Sequence, residues 1–159
     1  MLFAFLYTTG PYPLSYNGWG DILVIVFFGF VPVGGTYYVQ ALTWTTDTTI
    51  ASLICGLLID TLLVVNNYRD READARSGKR TVIVRFGEKF GSYLYLMLGM
   101  TASLLCFWFL FEGHLYAALL PLLYLIPHFL TWKRMVRIHS GKKLNSISVS
   151  YTHLTLPTN

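Results

Sequence analysis

Apolar residues in this chain come in long runs separated by short polar stretches, and the runs fit the roughly 20 residues needed to cross a bilayer. The first run covers residues 22–42 and is interrupted by Pro32, Gly34 and Gly35. In a membrane helix such residues serve close packing or a bend that widens a cavity. A polar turn at 43–48 precedes the second run, 49–65, which passes without a break into the charged stretch 66–81. A third run covers 90–111, a Glu-Gly-His turn follows, and the fourth run, 115–132, contains Pro121 and Pro127. Residues 1–7 are apolar but too few to span, and read as the end of a helix that starts upstream. Residues 8–21, TTGPYPLSYNGWGD, have the Gly, Pro and Asn of a structured loop, and Tyr7, Tyr12, Tyr16 and Trp19 suit the headgroup level. The predicted fold is all-α, a polytopic transmembrane helical bundle with four full spans.

Composition agrees with that pattern. Hydrophobic residues make up 54% of the 159 and charged residues 13%, against about 25% charged in a soluble domain. All twelve Lys and Arg residues fall in two blocks, seven at 69–89 and five at 133–143. Four spans put both blocks, and the loop at 8–21, on one side of the membrane, which the positive-inside rule makes cytoplasmic. Basic blocks alternating with apolar spans argue for a lipid bilayer as partner and against nucleic acid. The start of the chain has no basic n-region and no small-residue cleavage site, so no signal peptide is expected. Cys55 and Cys106 lie within apolar runs without metal-ligand spacing and read as packing residues. His114, His128 and His139 are scattered singly and read as structural.

The chemistry concentrates in residues 66–81, NNYRDREADARSGKRT. Asn66, Asp70 and Asp74 are four apart, so on a helix they share a face, each about 40° round from the last. Glu72 and Arg76 have the spacing of an i,i+4 pair, whereas Asp70 and Asp74 repel one another and lack a partner at helical spacing, which suggests a bound cation. Mg²⁺ takes oxygen ligands from one or two carboxylates together with substrate phosphates. Lys79 and Arg80 can hold the phosphate oxygens, and apolar, aromatic-rich spans can shield the carbon cation that a departing diphosphate leaves. Asp60, a turn and a half before Asn66 and within about 40° of Asn67 and Asp74, needs a partner at its depth. It has either a polar role beneath the site or a structural hydrogen bond. A competing reading makes Asp60, Asp70 and Asp74 the lining of an ion path in a transporter or channel.

NNYRDREADARSGKRT, continuing into TVIVRFGEKFG, resembles the second aspartate-rich motif of the UbiA-type intramembrane prenyltransferases, and the segment YTTGPYPLSYNGWGDILVIVFFGFVPVGGTYYVQA resembles their naphthoate branch. The resemblance implies a parent bundle of about nine spans in the cytoplasmic (inner) membrane, with two aspartate-rich motifs facing each other. It implies that polyprenyl diphosphate and 1,4-dihydroxy-2-naphthoate are the substrates, with diphosphate and carbon dioxide released. Asp70 and Asp74 match the catalytic, Mg²⁺-binding aspartates. Asn66, Asn67, Lys79 and Arg80 match diphosphate-binding positions, and Tyr12 a loop tyrosine near the diphosphate. Other branches would use 4-hydroxybenzoate, homogentisate or haem as acceptor. The chain carries no first motif of NxxxDxxxD type. Residues 1–147 are therefore expected to be the C-terminal half of such a membrane domain, inactive by itself, and 148–159 a non-native read-through tail.

Overall fold

The computed structural model describes residues 18–138, so the expectations for residues 1–7, Tyr12, Tyr16, His139 and the tail lie outside the described residues. Among the described residues four helices are long and apolar enough to cross a membrane: α1, Gly20–Ala41; α2, Thr46–Arg76; α3, Val82–Phe111; and α4, Leu115–Arg137. The described residues form helices and turns alone, with the four spans the hydropathy pattern predicts. α2 is the central member, packed on α1 and on α3, while α4 closes against α3. Large side chains such as Val39, Phe111, Tyr116 and Leu123 face outward, as suits helices whose surroundings are lipid.

α1 accommodates Pro32 without breaking. The segment Ile25–Gly34 is π-helical with Pro32 inside it, the wider winding that insertions and missing donors produce. The Cys55 thiol of α2 lies 3.7 Å from the Phe28 carbonyl oxygen of this segment. The α1–α2 contact itself rests on glycines. A Cβ on Gly29 would press on the Ser52 carbonyl and come within 2.9 Å of Gly56 Cα, and one on Gly56 would lie 2.9 Å from Ile25 Cα. Gly34 sits beneath the Trp44 ring, whereas Gly35 has open space around it. The packing role therefore belongs to Gly29, Gly34 and Gly56, and of the pair expected from the sequence only Gly34 shares it.

Helix ends differ from the expected bounds for local reasons. α2 starts three residues earlier than 49 because Thr45 caps it, its Oγ1 accepting from the Thr48 N–H at 3.1 Å. Leu42 ends α1 in the left-handed conformation, φ 52°. α3 starts at Val82, eight residues before the expected 90, but bends at Gly87 (φ 88°, ψ 174°), a backbone region open essentially to glycine alone. α4 passes through a 3₁₀ segment, Leu120–Tyr124, that has Pro121 in its first turn, and runs on to Arg137. α2 has 31 residues and is about 46 Å long at 1.5 Å per residue, well over the roughly 30 Å of hydrocarbon in a bilayer. The buried apolar cluster, Val64, Val65, Tyr68, Ile83, Tyr95 and Met135, joins α2, α3 and α4 at the end where α2 outruns its apolar stretch. That cluster supports the charged segment.

Candidate functional site

The helix continues through Asn66, Asn67, Asp70 and Asp74 and stops at Ser77. It stops because Gly78 takes a left-handed φ of 78°, and the two bonds of a Schellman ending follow: Lys79 N–H to the Asp74 carbonyl at 2.9 Å and Gly78 N–H to the Ala75 carbonyl at 3.3 Å. Two residues later Thr81 caps α3, its Oγ1 accepting from the Val84 N–H at 3.3 Å. The Gly-Lys-Arg-Thr run is thus also the punctuation between two helices, and it leaves room for only a tight turn. The ending carries Lys79 back over its own helix, and its Nζ lies 3.2 Å from Asp74 Oδ1.

Asp70 is held too. Arg69 Nε and Nη2 each donate at 2.7 Å, one to Oδ1 and the other to Oδ2, the fork geometry that suits guanidinium and carboxylate. The two aspartates therefore have cationic partners within the chain, which corrects the expectation drawn from i,i+4 spacing alone. Their partners come from position i−1 and, through the helix ending, from i+5, neither of which a helical-face argument counts. Glu72 and Arg76 are not joined by an ion pair among the described residues. Asp74 is buried and Asp70 half-exposed. Asn66 and Arg80 are exposed and Asn67 is half-buried. Of the loop expected beside this turn, Gly18 is described, and a Cβ there would lie 3.2 Å from the Arg80 carbonyl. The end of that loop touches the turn, and Tyr12 lies outside the described residues.

Beside the aspartates runs a network that sequence reasoning did not single out. The Tyr68 hydroxyl, fully buried, lies 2.8 Å from Glu88 Oε1 and 3.1 Å from the Met135 carbonyl. Arg71 donates to the Tyr68 carbonyl at 2.7 Å and to Glu88 Oε2 at 3.2 Å, and its guanidinium lies 4.8 Å from the Tyr68 ring centroid. Three helices meet there. No spacing rule connects residue 71 to residue 88, so only a tertiary observation could find the pair.

Asp60 is 1% exposed, and its Oδ1 has no hydrogen-bond partner among the described residues. The expectation of a structural hydrogen bond fails for that oxygen. The contacts of Gly29 with Ser52 and of Ile25 with Gly56 step four residues along each antiparallel helix, and one further step sets Asp21 opposite Asp60. The two carboxyls are within electrostatic range. His128 is structural as expected: it stacks on Tyr95 at 4.2 Å, its Nδ1 is 3.1 Å from the Tyr124 hydroxyl, and a Cβ on Gly99 would strike its ring.

Chemically the site offers hard oxygen donors, of which Asp70 is reachable from solvent, next to two cations on the same turn. Among the described residues no three His, Cys, Asp or Glu side chains form a metal cage. Two carboxylates completed by a ligand's own oxygens suit Mg²⁺, which keeps water and phosphate in its shell.

The 1,4-dihydroxy-2-naphthoate octaprenyltransferase of Haemophilus influenzae is 41% identical over 104 residues, 65% of this chain and 33% of that protein. The protein of the same name from Escherichia coli is 42% identical over 103 residues, again 65% and 33%. The UbiA prenyltransferase domain-containing protein 1 of Dictyostelium discoideum is 30% identical over 142 residues, 89% of this chain and 42% of that protein. The chain spans about a third of the length of the first two. No solved structure matches it. The model of the UbiA prenyltransferase family matches residues 1–151, and with its four membrane-capable helices the chain belongs to that family as a multi-pass membrane protein.

Proposed function

We propose that the protein transfers a polyprenyl group from polyprenyl diphosphate to 1,4-dihydroxy-2-naphthoate, releasing diphosphate and carbon dioxide. One observation carries the reading: two aspartates a turn apart at the end of a span, each beside a cation, Arg69 from the same helix and Lys79 from the turn that follows it. In this reading Asp70 and Asp74 hold Mg²⁺, which when bound supplies electrostatic stabilisation of the departing diphosphate. Arg69 and Lys79 exchange their carboxylates for phosphate oxygens, with Arg80, Asn66, Asn67 and Tyr12 completing the phosphate contacts. Arg is suited to phosphate by its fork of donors and Lys by its point charge. The spans keep water from the allylic carbon. The names of the Haemophilus and Escherichia relatives support the naphthoate acceptor. The protein lies in the cytoplasmic membrane with its basic turns on the cytoplasmic side, as the two basic blocks argue. The 159 residues carry no NxxxDxxxD motif, and the purified chain alone should give no product.

The test grafts residues 20–138 into the E. coli relative in place of its matching segment. The graft should prenylate 1,4-dihydroxy-2-naphthoate in a Mg²⁺-dependent way and leave 4-hydroxybenzoate untouched. Asp70→Ala or Asp74→Ala should lower the rate at least a hundredfold. Prenylation of 4-hydroxybenzoate instead would move the acceptor to another branch, and activity that survives both substitutions would refute the site.

A further inference from the structure

The turn that carries Lys79 and Arg80 is braced twice. At its start the Schellman ending and the Lys79–Asp74 pair tie it to α2. At its far side, eleven residues after Ser77, Glu88 returns to α2 through Tyr68 and Arg71, which lie on either side of Asp70 in sequence. Gly87 makes this return possible: its φ of 88° and ψ of 174° turn the chain so that Glu88 opens the long straight part of α3 with its carboxylate toward α2. The short helical piece between, from Val82 to the bend, has no other polar tie to α2 among the described residues.

Stability alone is a poor reason for this arrangement. The Arg71 side chain is 12% exposed and that of Glu88 32%, and a buried ion pair costs desolvation that an apolar pair of similar volume would avoid. What an ion pair with two further hydrogen bonds supplies is a single defined geometry. Arg71 bonds to the Tyr68 carbonyl, to Glu88 and to the Tyr68 ring face at once, and Tyr68 reaches the Met135 carbonyl of α4. The rotation of α2 about its axis, which decides where Asp70 and Asp74 point, is thereby fixed against α3 and α4.

We propose that Glu88 is a positioning residue for the diphosphate site: with Tyr68 and Arg71 it sets the turn of Lys79 and Arg80 over Asp70 and Asp74. The assignment rests on the prenyl-transfer reading, and its test separates the two. The full 159-residue chain, with Cys55→Ala and Cys106→Ala, is reconstituted in nanodiscs with nitroxides on Glu72→Cys and Arg85→Cys, both exposed positions. Inorganic pyrophosphate with Mg²⁺ is titrated into the unlabelled graft of residues 20–138 in the E. coli relative, which supplies the rest of the fold, and the substitutions below are made in it as well. Wild type should give one narrow label distance and measurable pyrophosphate binding. Glu88→Ala should broaden the distance and weaken binding at least tenfold with helicity unchanged. Glu88→Gln, which keeps an acceptor for Tyr68 but not the charge for Arg71, should fall between. The detergent-unfolding midpoint of Glu88→Gln should match that of wild type while its affinity falls, which a loss of general stability would not allow. Wild-type binding that Glu88→Ala and Glu88→Gln leave within twofold overturns the positioning role alone. No pyrophosphate binding by the wild-type graft overturns the prenyl-transfer reading and the role with it.

Discussion

Gly29 and Gly35 lie on the same helix six residues apart, and the structure predicts opposite signs for the same substitution. An alanine Cβ at Gly29 would meet the Ser52 carbonyl and would lie 2.9 Å from Gly56 Cα and 3.0 Å from Gly56 N. All three are backbone atoms that no rotamer change can move. Restoring ordinary contact of at least 3.4 Å requires α1 and α2 to part by about 0.5–1 Å, a gap that forfeits about a quarter to a half of each dispersion contact along the seam. Overpacking of this kind costs about 1–3 kcal/mol, and dispersion is the chief attraction between helices in lipid. Alanine's better helix propensity returns about 1 kcal/mol, so Gly29→Ala should destabilise the α1–α2 contact by a net of up to about 2 kcal/mol. At Gly35, where a Cβ meets nothing within 4 Å, only the propensity gain remains, and Gly35→Ala should stabilise by about 0.5–1 kcal/mol. The reporter is native: Cys55 faces the Phe28 carbonyl across this contact. With Cys106→Ala, pulse labelling of Cys55 by a maleimide through a detergent titration measures the opening of the pair. Gly29→Ala that opens no more readily than Gly35→Ala would refute the close-approach argument.

Two further outcomes follow from single residues. Gly87→Ala places a Cβ in a backbone region open essentially to glycine and should cost about 1–3 kcal/mol, read as lower resistance to thermal unfolding in detergent. Asp60→Leu removes a buried carboxyl that faces Asp21 and whose Oδ1 has no partner, so it should stabilise the chain by about 1–3 kcal/mol, the cost of an unmade buried hydrogen bond. Destabilisation in the same detergent titration would mean that the carboxyl has a partner in the membrane.

The helix count and the face shared by Asn66, Asp70 and Asp74 could be read from the sequence because both depend on period and run length, which are local. The ends of α2 and α3 were partly legible. Thr45 and Thr81 are cap residues in plain sight, but the apolar pattern does not begin until several residues after each cap, so a reading keyed to hydropathy starts the helices late. The partners of the two aspartates were not legible from helical spacing. Arg69 reaches Asp70 sideways along the chain, and Lys79 reaches Asp74 only because Gly78 adopts a left-handed conformation. Glu88 and Asp21 were out of reach for another reason. Their neighbours, Arg71 and Tyr68 for one and Asp60 for the other, are set by how helices dock, and docking depends on glycine contacts and a bend that carry no charge signal of their own.

α2 is unbroken from the Thr45 cap to Ser77, and its length exceeds the hydrocarbon by about ten residues. The aspartates therefore stand on a rigid post whose foot is at the opposite face of the bilayer. Their height above the lipid depends on how thick that lipid is. A membrane thicker by about 3 Å covers two more residues of the post and brings the headgroups that much nearer to Asp70, whereas a thinner one leaves the carboxylates farther out in water. Lipid chain length thereby becomes a variable of the site itself, one that acts on the distance between a charged group at the top of the post and anything still dissolved in the hydrocarbon below.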